Sequence, residues 1–79
     1  MNKKEEGMNK ILDFFKIMSD ETRFRIIMIL QERELCVCEV CEILQINQPN
    51  VSRHLSKLKD LGIVRVNRQG QMFFYYLNI

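Results

Sequence analysis

Seventy-nine residues with a hydrophobic share of 47% make one small domain whose single core is marginal and gains from oligomerisation. No run of eighteen apolar residues occurs, and no apolar segment follows the basic start, so neither a membrane span nor a secretory signal is expected. The net charge of +2 conceals an asymmetry: residues 1–44 carry seven basic against nine acidic side chains, whereas residues 45–79 carry five basic ones against Asp60 alone. Positive charge is concentrated where a nucleic acid would need it, although charge alone equally suits a solvated face.

Residues 1–7 are polar and are expected to form a disordered tail, leaving residues 8–79 as the folded domain. Met8, Ile11, Leu12, Phe15 and Met18 follow a helical period, and Phe14 widens the stripe. That breadth exceeds what one small core requires, so part of this first helix is expected to meet a second subunit. Ser19 can cap a second helix, with Asp20 and Glu21 favourably placed against its dipole. Phe24, Ile26, Ile27, Met28, Ile29 and Leu30 are expected to make that helix the most buried of the chain, ending near residues 31–33.

All three cysteines fall in the next stretch, Glu-Leu-Cys-Val-Cys-Glu-Val-Cys-Glu at 34–42. An odd number of closely spaced thiols is a poor disulfide framework and fits a reducing cytoplasm. If residues 35–38 are extended, Cys36 and Cys38 share a face. If a helix starts near Cys38 or Glu39, Cys38 and Cys41 are neighbours across one turn. Either way this junction gathers three sulfurs without help from distant residues. Such a set, with no fourth cysteine or adjacent histidine, suits a pyramidal three-coordinate soft ion such as As(III) or Sb(III) better than tetrahedral zinc. The plainer alternative is that a free cysteine, Cys41 in particular, packs as a small hydrophobe.

Beyond the cysteines, Glu39 to Leu44 reads as a short helix with Val40, Ile43 and Leu44 inward. A break at residues 45–47 follows, then a helix capped by Asn47 with Pro49 in its first turn, where the missing N–H costs nothing. Val51, Leu55, Leu58 and Leu61 form one apolar stripe, and Gly62 is the expected C′ residue. Two short helices joined by a tight turn make a helix-turn-helix. Ile63–Asn67 and Met72–Leu77 are β-rich around a turn at Arg68-Gln69-Gly70-Gln71. The expected fold is therefore mainly α with a β-hairpin, a winged helix-turn-helix.

On the second helix of the motif, Ser52, Arg53, Ser56 and Lys57 lie opposite or beside the stripe, and Gln48 and Asn50 project from the N-terminal turn that usually meets base edges. Arginine can take guanine bidentately, and Gln or Asn can take adenine. Serine and lysine suit phosphates, which position without reading sequence. His54, the single histidine, sits at the edge of the stripe and suits either a packing role or a DNA contact. Arg65 and Arg68 near the wing tip can reach a phosphate or the minor groove.

Ser-Asp-Glu-Thr-Arg at 19–23, Glu-Leu-Cys-Val-Cys-Glu at 34–39, Gln-Pro-Asn-Val-Ser-Arg-His-Leu at 48–55 and Leu-Gly-Ile-Val at 61–64 together resemble the ArsR/SmtB metalloregulatory repressors. The resemblance covers residues 8–78. Its Cys-x-Cys-x-x-Cys segment is similar to the arsenic-responsive branch, which implies Cys36, Cys38 and Cys41 as ligands of the inducer and residues 48–57 as the operator-reading surface. A cadmium/lead branch shares Cys-Val-Cys but adds cysteines from an N-terminal arm, and residues 1–35 contain none. Family members usually continue past the wing into a helix that pairs across a dimer axis. With the chain ending at Ile79, the expectation is a weak homodimer on two-fold, double-stranded operator DNA.

The leading expectation is a cytoplasmic repressor that holds its operator when metal-free and leaves it when As(III) or Sb(III) binds the three thiols. The alternative is a regulator answering to thiol oxidation or another soft metal. A metal-trafficking protein that ignores DNA conflicts with the basic, capped second helix. An enzyme is not expected, because no paired catalytic carboxylates, phosphate loop or cysteine–histidine arrangement stands out.

Overall fold

Apolar residues at helical spacing, and then a β-rich tail, produce five elements in the first sixty residues and two strands after them. The computed structural model describes residues 3–78. Within the first helix, α1 (Lys3–Met18), the side chains at 3–6, 13, 14, 17 and 18 lie outside the description, and with them the expectation that Phe14 and Met18 extend its stripe. Among the described residues the helix starts at Lys3; Lys-Lys-Glu-Glu are good helix formers, with Gly7 after them the weaker one. No helix among the described residues is long and apolar enough to cross a membrane.

Helix α2 (Glu21–Leu30) is capped by Asp20, one residue later than expected. Asp20 has the extended backbone a cap requires, and its Oδ1 accepts from the Arg23 N–H at 3.1 Å. The Ser19 hydroxyl instead donates to the Lys16 carbonyl at 2.7 Å and closes the end of α1. That N–H holds the Asp20 carboxyl below its ordinary value of 3.8, with smaller help from the Arg23 charge and the Thr22 N–H and against the cost of burial. A carboxyl with a depressed native pKa stabilises above its unfolded pKa, and the effect fades as pH falls through the native value. Asp20→Ala is therefore expected to cost about 1 kcal/mol at neutral pH. Urea midpoints of variant and parent should converge in acid below 3.8; a gap that persists there would mean the cap does not act through the carboxylate.

The core is built by Ile26 and Leu30 of α2, Leu35 of β1 (Leu35–Cys36), Val40 of α3 (Val37–Leu44), Val51, Leu55 and Leu58 of α4 (Gln48–Asp60) and Val64 of β2 (Val64–Gln69). The α4 stripe is fully buried as its spacing predicts, with Leu61 packed at the margin. Phe24 and Met28 depart from expectation: both remain nearly half exposed, at 47% and 46%, and Ile43 of α3 is 50% exposed. Each lies on an apolar helix whose other face already fills a core too small for the full width.

Local geometry makes the turns. Gln45 ends α3 in the left-handed region at φ 57, and its side-chain amide donates to the Glu42 carbonyl at 2.7 Å. Asn47 then caps α4, its Oδ1 accepting from the Asn50 N–H at 3.0 Å. At the far end Gly62, with φ 76, allows its own N–H to reach the Lys59 carbonyl and the Ile63 N–H to reach the Leu58 carbonyl, both at 2.9 Å. Those two bonds are a Schellman closure, which only a residue free to take positive φ makes cheaply.

Strand β3 (Met72–Leu77) is the middle of a three-stranded antiparallel sheet in the order β1-β3-β2. Gln69 pairs with Met72, so the wing turn is only Gly70-Gln71 and the expected four-residue turn is shorter by Arg68 and Gln69. On its other side β3 takes up β1, with Leu35 opposite Tyr75 and Cys36 opposite Phe74. The extended alternative for residues 35–38 is thus met only at Leu35–Cys36, and its pairing with the hairpin was not part of the expectation.

Candidate nucleic-acid interface and thiol cluster

The burial of Val51, Leu55 and Leu58 turns the opposite side of α4 outward. Gln48, Asn50, Arg53, Ser56 and Lys57 are exposed, and Ser52 is half-buried beside them. Lys59, which the sequence reading left aside, joins Lys57 as a second exposed cation in the last turn. Among the described residues, Arg53, Lys57, Lys59 and Arg65 form no ion pair or side-chain hydrogen bond, so their charges are available to an external anion. The first turn of α4 holds no acidic residue, which leaves its partial positive charge unopposed.

The wing presents its cations differently. Arg65 stands exposed opposite Tyr76. Arg68 is tethered: its Nε donates to the Gly70 carbonyl at 2.9 Å, and its guanidinium lies 5.7 Å from the centroid of the facing Phe73 ring, within cation–π range. His54 is the exception among the expected DNA contacts. It is half-buried, and its Nδ1 accepts from the Arg23 Nε of α2 at 3.0 Å.

The three cysteines are free thiols in three settings. Cys36 is buried and is the N-cap of α3, with φ −82 and ψ 165. Cys38 is exposed in the first turn, and Cys41 is partly buried one turn on, packed against the core. Only residues 35–36 are strand, so Cys36 and Cys38 do not share a strand face; Cys38 and Cys41 are helical neighbours, as the second alternative held. Burial raises the Cys41 thiol above its ordinary pKa, and the nearby Cys38 and Cys36 thiolates push in the same direction, so the three sulfurs feel one another. Among the described residues, however, no three His, Cys, Asp or Glu side chains are already gathered to hold a metal ion.

Glu39 ties this turn together. Its Oε1 accepts from the Cys36 N–H at 3.1 Å, and its Oε2 pairs with Arg33 at 3.2 Å. The Cys36 backbone and thiol, then Arg33, hold its carboxyl below the usual range. Glutamate three residues after a cap is half of a capping box, a pattern legible at 36–39 once cysteine is allowed in the place of serine.

Residues 20–66 match the family described as bacterial regulatory protein, arsR family. The chain is 43% identical over 68 residues to the arsenical resistance operon repressor of Escherichia coli, covering 85% of this chain and 58% of that protein. It is 40% identical over 65 residues to the cadmium resistance transcriptional regulatory protein CadC of Listeria innocua, covering 81% and 55%. The chain thus spans a little over half the length of these relatives. Reduced HlyU from Vibrio cholerae superposes with a TM-score of 0.84 at 30% identity, over the whole of this chain and 83% of that one. A family match across the entire helix-turn-helix, on a fold with the expected wing, establishes that the chain belongs to the arsR family of bacterial regulatory proteins.

Proposed function

We propose that this protein is a transcriptional repressor that holds operator DNA when metal-free and is released when a soft metalloid, As(III) or Sb(III), engages Cys36, Cys38 and Cys41. The family and the winged helix-turn-helix are those of DNA-binding regulators rather than enzymes. The observation that carries the reading is that the N-cap of the first motif helix is itself a candidate ligand, two residues from the exposed Cys38.

Operator reading falls to α4. Gln48, Asn50 and Arg53 are directed at base edges, and Ser52, Ser56 and Lys57 at phosphates, with Arg65 and Arg68 reaching the flanking backbone from the wing. A second copy of the chain supplies the other half-site, since paired half-sites raise affinity by avidity.

The donor set fits a soft three-coordinate ion by its chemistry, because thiolates are the softest ligands a protein offers. Bound there, the ion supplies three short bonds to sulfur that compete with helix geometry. Cys36, Cys38 and Cys41 cannot converge while Cys36 keeps its extended cap and Cys38 its helical direction. Their convergence pulls the Cys36 N–H from Glu39 and loosens the first turn of α3, and α4, which packs on α3, tilts away from the groove. Soft divalent ions are the alternative inducer, in view of the cadmium-resistance relative.

Fluorescence anisotropy of a labelled duplex from upstream of the protein's own gene tests this in a reducing buffer. Arsenite is expected to weaken binding about 5–150-fold, the usual span of a coupling between two sites. Binding that ignores arsenite but answers to cadmium would transfer the site to a divalent ion; binding that answers only to peroxide would favour the redox alternative.

A further inference from the structure

Most of the α2–α4 joint is apolar. Ile26 and Leu30 share one core cluster with Val51, Leu55 and Leu58. Apolar contact is non-directional, so this stripe decides which face of α4 is buried but leaves small rotations about the helix axis weakly opposed. Rotation matters, because Arg53 and Lys57 are carried on the outer face and a small turn displaces them from base edges.

Among the described residues, one side-chain hydrogen bond crosses the joint. Arg23 Nε donates to His54 Nδ1 at 3.0 Å, between positions 31 apart in the chain. Arginine stays protonated and can only donate, so the acceptor must be a neutral imidazole carrying its proton on Nε2. The Arg23 backbone is anchored in turn, its N–H donating to Asp20 at 3.1 Å at the start of α2. His54 is followed by Leu55 of the buried stripe and preceded by exposed Arg53. A hydrogen bond at this point therefore fixes the angle between the buried and the reading faces relative to α2, with a tolerance set by hydrogen-bond geometry.

We propose that Arg23 and His54 form a positioning pair that sets the rotation of the reading helix, so that His54 governs operator affinity through Arg23 and does not touch the duplex. The proposal rests on α4 as the operator-reading helix. It separates from that reading in the free protein, where the pair exists or does not exist without DNA.

The chain's single histidine allows a direct measurement. Long-range proton–nitrogen NMR spectra of the DNA-free protein should show the Nε2–H tautomer with a hydrogen-bonded Nδ1, and Arg23→Gln should shift the Nδ1 resonance toward that of a free acceptor nitrogen. Substitutions then separate the roles. The Oδ1 of Asn occupies nearly the position of His Nδ1, whereas the polar end of Gln falls near Nε2. His54→Asn is therefore expected to bind the operator duplex like the parent. His54→Gln, His54→Ala and Arg23→Gln should each weaken binding about tenfold, with the Arg23→Gln/His54→Ala double variant no weaker than either single one. The slope of affinity against salt should stay unchanged in all of them, since no phosphate contact is lost.

If His54→Gln binds like the parent, His54→Asn does not, and the salt slope falls by about one, His54 is a DNA contact and the proposal is overturned. It is equally overturned if every variant binds like the parent, or if the free protein shows the other tautomer. If the NMR signature is present but the parent chain binds no operator, the assignment of α4 as the reading helix fails and takes the proposal with it. Should His54→Ala not fold, the Asn and Gln variants carry the comparison, because both retain a polar side chain at a half-buried position.

Discussion

Serine at Cys36 or Cys38 is expected to abolish release by arsenite while leaving metal-free operator binding within about threefold of the parent, the scale of a substitution that removes no contact to DNA. The two effects separate because sulfur and oxygen are close in size and far apart in softness. A serine hydroxyl is a poor ligand for a soft metalloid. At position 36, though, it is a better helix cap than a thiol, and Glu39 can still accept from the residue 36 N–H as it does from Cys36. Cys36→Ser should therefore hold α3 at least as firmly as the parent and leave α4 in its reading position. Cys38 is exposed, so its replacement disturbs no packing. Anisotropy titrations with and without arsenite read both quantities from one sample. A triple Cys→Ser protein that still leaves DNA on adding arsenite would place the inducer site elsewhere.

Cys41 should behave differently. It packs partly against the core, and burial together with its two thiol neighbours raises its pKa above the ordinary thiol value. In the proposed mechanism two ligands at residues 36 and 38 would suffice to distort the start of α3, so a third one turn on would add affinity without being needed to trigger release. By linkage, whatever factor separates operator affinity with and without metalloid must reappear as a loss of metalloid affinity on DNA.

The helix-turn-helix was legible because each of its features is local. Asn47, Pro49, the buried stripe and Gly62 act within a few residues, and each behaves in the structure as its chemistry requires. The cap of α2 was misplaced by one residue because Ser19 and Asp20 are both good caps; only the extended backbone at Asp20 decides between them. The length and pairing of strand β1 were illegible for another reason. Two residues carry no periodicity, and their pairing partner lies near position 75, far along the chain. His54 suits two roles in the sequence because its partner, Arg23, is equally remote. The thiol cluster falls between these cases: its residues are adjacent in sequence, but their resting directions depend on the start of α3 at Val37.

A charge placed on α1 is expected to split the protein into monomers and to cost operator affinity about 10²-fold or more, the gain that joining two half-sites confers. The first helix exposes Met8, Ile11 and Leu12, the last two at 56% and 55%. Phe24 and Met28 of α2 add further apolar surface that the core does not cover. A face of this extent on so small a domain is a liability in a free monomer, and a second copy presenting the same face would bury it around a two-fold axis. Such an axis would also match two α4 helices to successive major grooves. Leu12→Lys should leave the monomer folded, since the side chain already faces solvent, and sedimentation should show a lighter species. Met72→Lys is the control. Met72 is nearly as exposed, at 46%, but lies at the start of β3 beside the wing turn, so its substitution should leave the oligomer unchanged. If Leu12→Lys sediments as the parent does, or if Met72→Lys dissociates it, the two copies meet through a different surface.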